Sequence, residues 1–433
     1  MHKNLQAILT RVSVSVLLVL GASAGAFAQE LSEEADALFD RRAYFEASSD
    51  YVAAYAKEKN LEDRAHCAFR AGECFRILHN YDEALEWYDK ALGLRYATVN
   101  PRIYLLYGDV LRDQENFYDA MEWYEKYGNA GDRAVADSRI EAADLAALYL
   151  DEPQSRYIVE PMYTLNSPSF DFAPMYSDKK NNTLIFASSR ESSKGSGEDP
   201  ITGEAFMDLF STTCSNCDDK NVLSGENKQR WSEPIPLGNT ICSENNEGSV
   251  AFDKKFTTMY FTRCVDEGGS NLACDIFYAP IVGNGHGASQ PLFIVNRDED
   301  DTTQVGHPAI SPDGNTMVFA SDLAGGHGGK DLWYIKYDKG SDTWGAAINL
   351  GPSINSAGDD MFPTFRNDGS LYFSSNGRDN GLGGFDLCKA EVREGEMVFA
   401  EVEVLPYPLN SASDDMGIVF NGMSPIQLFM SRD

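Results

Sequence analysis

Hydrophobic residues from Leu31 to Leu150 recur at three- and four-residue intervals, which is the spacing of amphipathic helices. Within this pattern the motif Ala-x-x-x-Tyr occurs at Ala47, Ala84 and Ala120, which stand 37 and 36 residues apart. An aromatic residue precedes each of these alanines by three positions. A fixed period of this length indicates helix pairs that stack on one another to bury a continuous core. We predict three helix pairs followed by one capping helix over residues 132–150.

This repeat resembles the tetratricopeptide repeat (TPR), whose period is about 34 residues. Gly72 and Gly108 stand twelve residues before the second and third repeated alanines, where a small residue lets paired helices approach closely. The resemblance implies a TPR-like α-solenoid that binds protein segments. The alternative interpretation is a rigid spacer.

After residue 151 the pattern changes to short strands separated by turns rich in Gly, Asn and Asp. Two strand patterns recur five times. The first strands begin at Ala173, Gly248, His307, Phe362 and Gly417. The second strands begin at Leu184, Met259, Met317, Leu371 and Leu428. In four units a third strand opens with an aspartate, at Asp208, Asp275, Asp331 and Asp386. Four short strands per unit, repeated at about 50 residues, predict a β-propeller.

The expected fold is therefore an α+β multidomain chain with a TPR-like α-solenoid at residues 29–150 and an all-β propeller at residues 151–433. We expect about five blades, the last of them incomplete, because the sequence reaches Asp433 just after the second strand of the fifth unit. On that basis we expect a longer protein of which this chain is the front part. Tyr157–Met162 matches a fourth-strand segment and is expected to close the ring as the outer strand of the last blade.

Residues 1–28 combine a basic start, an apolar stretch and the small-residue exit Ala26-Phe27-Ala28, which predicts a cleaved secretory signal. No later apolar run reaches the ~20 residues of a membrane-spanning helix. The net charge of −31 argues against binding to nucleic acid or to an anionic membrane. We therefore expect an exported, periplasmic protein, either free or peripheral to the outer membrane.

Four further motifs sharpen the comparison: Ser311-Pro-Asp-Gly, Phe373-Ser-Ser-Asn, Thr262-Arg-Cys and a repeated Gly-Gly-x-Asp-Leu. Together with the signal and the helical repeats, they resemble the TPR and TolB-like propeller proteins of Bacteroidota. The PorE-type component associated with the type IX secretion system is the closest functional analogue. Such proteins commonly carry an OmpA-like peptidoglycan-binding domain after the propeller, which the sequence to Asp433 does not contain. The resemblance implies a periplasmic scaffold or adaptor whose partners are envelope or secretion-system proteins.

Linear motifs of hydrolases, metalloproteases and phosphate-binding loops are missing, so we predict a non-catalytic protein without a cofactor or metal ion. Candidate binding residues cluster at the starts of the innermost strands, where a funnel would lie: Asp171, Glu247, His307, Asp359, Asp360, Asp414 and Asp415. The alternative is a carbohydrate-binding or glycoside-hydrolysing propeller, which for hydrolysis would place two of these carboxylates about 5 to 10 Å apart. A third interpretation is turn chemistry, because Asp side chains accept hydrogen bonds from nearby backbone amides.

The eight cysteines divide by position. Cys264 and Cys274 flank a turn between two predicted antiparallel strands, where opposed residues come within disulfide reach. A second bridge could form among Cys214, Cys217 and Cys242. Cys67 and Cys74 lie about 10 Å apart along one predicted helix and are expected to be buried thiols.

Overall fold

The computed structural model describes residues 24–151, 157–195, 198–199, 201–217, 219, 228–266, 272–283, 285–294, 303–378, 380–393, 398–421 and 428–432. The chain divides into two compact units, a helical unit and a unit made mainly of strands, and the main division falls between Ile140 and Glu141, within the last helix. Most of the predicted signal lies in residues 1–23, outside the described residues. None of the described helices combines the length and apolar character needed to cross a membrane.

The predicted helical region is confirmed as seven α-helices in the described chain. They are α1 (Ala24–Asp40), α2 (Tyr44–Lys57), α3 (Leu61–Ile77), α4 (Tyr81–Gly93), α5 (Arg102–Asp113), α6 (Phe117–Ala130) and α7 (Arg133–Asp151). The first six pack as consecutive pairs. Their assignment to the TPR family remains a prediction.

Glycine and tyrosine set the distance between paired helices. The repeated tyrosines Tyr51, Tyr88 and Tyr124 are fully buried. A Cβ atom built on Gly72 would lie 2.6 Å from the Tyr88 ring, and one built on Gly108 would lie 2.5 Å from the Tyr124 ring. The ring therefore occupies the space that any larger residue would need, which explains why the two residue types recur together.

The strand unit contains four sheets of at least four strands and one sheet of two described strands, all antiparallel. The first comprises β1 (Asp171–Tyr176), β2 (Thr183–Ser188), β3 (Asp208–Thr213) and β4 (Ile235–Pro236). The second comprises β5 (Asn246–Phe252), β6 (Thr258–Asp266), β7 (Leu272–Val282), β8 (Gly285–His286) and β9 (Gln290–Pro291). The third comprises β10 (Val305–Ile310), β11 (Thr316–Ser321), β12 (Asp331–Asp338), β13 (Thr343–Trp344) and β14 (Ile348–Asn349). The fourth comprises β15 (Asp360–Phe365), β16 (Leu371–Ser375), β17 (Asp386–Ala390) and β20 (Glu403–Val404), next to the hairpin β18 (Val392–Arg393) and β19 (Val398–Phe399). The last pairs β21 (Asp415–Phe420) with β22 (Leu428–Arg432).

The first strands of the five sheets follow one another around a ring. Strand β1 contacts β5 and β21, β10 contacts β5 and β15, and β15 contacts β21. At the junction of the last and first sheets, the Ala173 amide donates to the Ser431 hydroxyl oxygen at 3.0 Å. The prediction of a propeller-like all-β region is confirmed, with four full blades. At the fifth position, where an incomplete blade was expected, the described residues give two strands.

The expected ring-closing strand at Tyr157–Met162 is wrong. Residues 157–162 lie outside any strand, and the described partner of β22 is β21 alone. Met162 packs its side chain against a cluster that includes Leu165 and Phe429. The segment thus contacts the strand unit through the Met162 side chain, and the backbone pairing that the pattern predicted is not among the described strand pairs.

Every inner strand bends at one residue with a positive φ, which is the third residue of four strands and the fourth residue of β5. These residues are Ala173 (52°), Ser249 (36°), His307 (53°), Phe362 (52°) and Gly417 (61°). The register with the second strand shifts at the same place in all five sheets, as in a β-bulge. Four of the five residues are not glycine, so their left-handed backbone carries a cost of about 1–2 kcal/mol each.

We expect Ser249→Gly to raise the free energy of unfolding by about 1 kcal/mol. Glycine relieves the positive φ, and the change removes a buried hydroxyl that makes no hydrogen bond with any residue the structure describes. Urea denaturation measures the effect. Ser249→Ala is the matched control, because it removes the hydroxyl but keeps the strained backbone and should gain less. Equal stabilities of the two variants would contradict the assigned strain.

Candidate functional site

Four of the five inner strands carry an acid paired to an arginine, as the first residue of three strands and as the second residue of β5. The pairs are Asp171 with Arg190 (2.5 Å), Glu247 with Arg263 (2.7 Å), Asp360 with Arg378 (3.3 Å) and Asp415 with Arg432 (2.6 Å). Each acid also accepts hydrogen bonds from the backbone amide and hydroxyl of the serine four residues before it: Ser167, Ser243, Ser356 and Ser411. Each arginine donates to the carbonyl six residues before the acid, at Leu165, Ile241, Ile354 and Leu409. We call this unit the arginine clamp.

In each clamp the arginine and the serine donate hydrogen bonds to the oxygens of the carboxylate. Glu247, Asp360 and Asp415 are almost completely buried. Burial raises the pKa of Glu247 and of Asp360, and raises the pKa of Asp415 to about 6, against the opposing effects of the arginines and serines. In the third sheet Val305 stands at the acid's position. The clamps thus connect the start of an inner strand to the loop before it and to the end of the second strand.

Asp359 and Asp414 connect neighbouring sheets. Asp359 accepts from the Lys330 amide and Asp414 from the Phe385 amide, both at 2.7 Å. These amides lie just before the third strands of the preceding sheets. Asn246 accepts from the Met207 amide at 2.7 Å in the same way. Residues at this position therefore bind backbone of the preceding blade.

His307 lies at the bulge of β10. Its ring stacks on Phe362 with centroids 4.0 Å apart, and its Nδ1 accepts from the Phe362 amide at 3.4 Å. Burial, together with the charge of Lys330, lowers the pKa of His307 to about 3. The imidazole is therefore neutral at physiological pH, and it accepts a hydrogen bond between two neighbouring inner strands.

The low pKa of His307 predicts a pH dependence. The unfolded histidine titrates near 6.5 and the folded one near 3, so the stability from the neutral ring is present above pH 6.5 and is lost as the pH falls toward 3. At pH 5 the loss is about 2 kcal/mol relative to pH 7.5. His307→Asn keeps a residue that tolerates positive φ but does not titrate. Urea denaturation at both pH values should show a smaller loss for this variant, and equal losses would contradict the assignment.

A cavity of about 360 Å³ lies at the opposite ends of the inner strands. Its walls contain the last two residues of all five: Met175 and Tyr176, Ala251 and Phe252, Ala309 and Ile310, Thr364 and Phe365, and Val419 and Phe420. We call this cavity the aromatic funnel. The final residue of each strand is aromatic in four sheets and isoleucine in the third. Counted from the acid of each inner strand, or from Val305 in the third sheet, these residues are all at the sixth position, so the signal is present in the aligned repeats of the sequence.

The polar rim of the funnel comes from turns. Asn181, Arg366, Asn367 and Asp368 line it. The Arg366 guanidinium lies 5.6 Å from the centre of the Phe420 ring and 3.5 Å from the Asp368 carboxylate. Among the described residues that line the cavity, Asp368 is the one acid, so none of these residues provides a second carboxylate to face it. The seven residues selected from the sequence lie at the other end of the inner strands.

The helical unit has a half-buried tryptophan in its second and third repeats. Trp87 and Trp123 stand 36 residues apart. Lys90 Nζ lies 3.7 Å from the centre of the Trp87 ring, and Lys126 Nζ lies 3.3 Å from that of Trp123. Tyr107 stacks on Trp123 with centroids 3.8 Å apart. Such rings combine apolar area with low conformational entropy, which suits a protein-binding surface.

The structure contains two disulfides, Cys264–Cys274 and Cys214–Cys217. The first joins opposed residues of β6 and β7. The buried cysteines 67, 74, 242 and 388 are thiols. Within the described parts of the chain, no group of three or more His, Cys, Asp or Glu side chains is arranged to hold a metal ion.

No protein-family model and no curated protein matches the sequence. Among solved structures, the chain is similar to TolB from Acinetobacter baumannii, with 15% identity and a TM-score of 0.33 over 59% of this chain and 49% of that one. It is also similar to an endo-arabinase from Bacteroides thetaiotaomicron, with 14% identity and a TM-score of 0.34 over 60% of this chain and 88% of that one. This chain thus matches about half the length of the TolB structure. At these values the likeness assigns no function.

Proposed function

We propose that the protein is a non-catalytic periplasmic scaffold or adaptor of the bacterial envelope that binds a segment of a partner protein in the aromatic funnel. The observation that carries the proposal is the convergence of all five inner strands on one cavity, which apolar side chains line in the majority and which has a polar rim. Preformed, mostly apolar cavities with a few polar groups are the usual form of binding sites. The resemblance to TPR and TolB-like proteins of the PorE type supports an envelope or secretion-associated role.

The arginine clamps favour binding over glycoside hydrolysis. A hydrolase needs one carboxyl group that donates a proton and a second one that acts as base or nucleophile, both facing the substrate. Glu247, Asp360 and Asp415 are instead buried against their own arginines and serines. The half-buried rings of Trp87, Tyr107 and Trp123 in the helical unit supply a second surface for protein partners.

A photo-crosslinking amino acid placed at Phe420 tests the proposal. In envelope fractions we expect a discrete protein adduct from the funnel position and none from the same amino acid at Val282, an exposed residue of β7. Arg366→Ala should weaken the adduct by removing the cation at the rim. Sugar release from glycans by the purified chain, abolished by Asp360→Asn without loss of folding, would overturn the proposal in favour of a hydrolase.

A further inference from the structure

A second cavity lies beside the arginine clamp of the fourth sheet. Its volume is about 350 Å³, and the clamp arginine Arg378 is one of its lining residues. Its other walls come from Ser353 in the loop before β15, from Asn380 shortly after Arg378, and from five residues of the segment 399–404. Small-molecule sites are usually preformed cavities of about 300–1,000 Å³. We call this one the clamp cavity, and its size suits a small ligand.

The clamp leaves one nitrogen of Arg378 available to a ligand. Nε donates to the Ser375 hydroxyl at 3.3 Å, and Nη2 donates both to the Ile354 carbonyl and to the Asp360 carboxylate. Nη1 makes no hydrogen bond with any residue that the structure describes, and the side chain is 16% exposed. Because Nε and Nη2 are in use, the guanidinium is not free to bind a carboxylate with two parallel hydrogen bonds, the geometry in which arginine recognises anions best.

The second sheet shows which group this nitrogen binds. There Nη1 of the clamp arginine Arg263 donates to the Ser289 hydroxyl at 3.3 Å. Ser289 directly precedes β9, which begins opposite the third residue after the third-strand aspartate. Strand β20 begins at the same register in the fourth sheet, and the residue directly before it is Val402. Val402 has no hydroxyl and lines the clamp cavity, so a ligand hydroxyl in the cavity would take the place of the Ser289 hydroxyl.

The remaining walls combine polar and apolar groups. Ser353, Asn380 and Glu401 are exposed, and their side chains make no hydrogen bond with a described residue. They offer a hydroxyl, an amide and a carboxylate, and hence both donors and acceptors. Phe399 is 6% exposed and belongs to the hydrophobic core of this blade, against which Val404 also packs. The apolar part of the wall is therefore held in place by the core.

We propose that the clamp cavity binds a neutral sugar of one or two rings. A sugar hydroxyl both donates and accepts, so neighbouring hydroxyls can accept from Arg378 and Asn380 and donate to Glu401. The C–H groups of the ring meet the apolar side chains of Val402 and Val404. An anion suits the cavity less well, because Glu401 lines it and Asp360 already pairs with the guanidinium. The cavity is separate from the aromatic funnel and the binding involves no bond cleavage, so this proposal does not depend on the proposed function.

Ligand-detected NMR titrations of the full chain with maltose, cellobiose and N,N′-diacetylchitobiose test the proposal. We expect saturable binding of at least one of these neutral disaccharides. Glu401→Ala and Asn380→Ala should each weaken it about tenfold, because each removes a hydrogen bond to the sugar. Both variants should keep the thermal unfolding midpoint of the parent, since the two side chains are exposed and make no described hydrogen bond. Absence of saturable binding of all three sugars would overturn the proposal.

Val402→Ser tests the role of Arg378 Nη1 without altering the clamp. The new hydroxyl would accept from Nη1 as Ser289 does in the second sheet, and it should weaken sugar binding about tenfold by competing with the ligand. Val402→Ala is the matched variant, because it removes apolar area but adds no acceptor, and we expect it to weaken binding less than about threefold. Equal affinities of these two variants would contradict the assigned role of Nη1 and overturn the proposal.

Three controls identify the occupied site and the ligand class. Glu403→Ala removes an exposed carboxylate two residues from Glu401 that does not line the cavity, and should leave the affinity unchanged. Asn367→Ala alters the funnel rim and should also have no effect. A loss of binding confined to Asn367→Ala would place the sugar in the funnel, and equal losses in Glu401→Ala and Glu403→Ala would remove the evidence for the cavity. Displacement of the sugar by succinate would assign an anion site, and each of these three results would overturn the proposal.

Discussion

Arg263→Met is expected to lower the free energy of unfolding of the strand unit by about 3–5 kcal/mol, the usual cost of removing one partner from a buried ion pair. Glu247 is 1% exposed, and Arg263 donates to its carboxylate at 2.7 Å and to the Ile241 carbonyl at 2.6 Å. The substitution leaves a buried carboxylate that retains only its hydrogen bonds from Ser243. It also leaves the Ile241 carbonyl without its donor.

Urea denaturation of the single and double variants measures the coupling. The double variant Arg263→Met with Glu247→Gln should recover part of the loss, because no charge then remains buried at this position. Lys389 and Glu391 provide a matched exposed pair at 2.7 Å, and Glu391→Gln should change stability by less than about 0.5 kcal/mol. If Arg263→Met and Glu391→Gln lowered the free energy of unfolding equally, the arginine clamps would not be what stabilises the blades.

Gly108→Ala is expected to destabilise the helical unit by about 2–3 kcal/mol through overpacking. The new methyl group would lie 2.5 Å from the Tyr124 ring, which is fully buried and donates its hydroxyl to Asp109 at 3.0 Å. The ring cannot move without losing that hydrogen bond and its packing between α5 and α6. The intrinsic preference of alanine for helices, about 1 kcal/mol, is too small to compensate.

Gly93→Ala is the matched control. Gly93 is the last residue of α4, and a Cβ atom there would meet nothing within 4 Å. This variant should therefore be as stable as the parent or more stable by up to about 1 kcal/mol. Thermal unfolding followed by circular dichroism at 222 nm compares the two. A Gly108→Ala variant as stable as Gly93→Ala would contradict the role assigned to the glycine and tyrosine pair.

The repeats made most of the architecture predictable. The spacing of Ala84 and Ala120 and of the glycines before them specified paired helices, and the structure has helices there. The third-strand aspartates located the blades because turn residues recur in the sequence wherever the backbone repeats. The bridging of Cys264 to Cys274 also followed from local geometry, since the two residues lie on adjacent strands of one hairpin.

The site was less predictable. The sequence marked Asp171, Glu247, Asp360 and Asp415 by their charge, but their arginine partners lie 16 to 19 residues later, and nothing local shows that the side chains meet. The sequence did not mark Phe252, Phe365 and Phe420 as site residues, because an aromatic residue at the end of a strand is typical of a core. Their meeting in one cavity depends on the closure of the ring.

The sequence by itself determined the order of helices and strands, the repeat unit and the positions of the turns, because hydrophobic periodicity and turn chemistry are local properties. The tertiary structure decided which carboxylates are paired with arginines and which strand ends form the funnel. Both results depend on contacts between residues that lie far apart in the chain, and no local pattern in the sequence records such contacts.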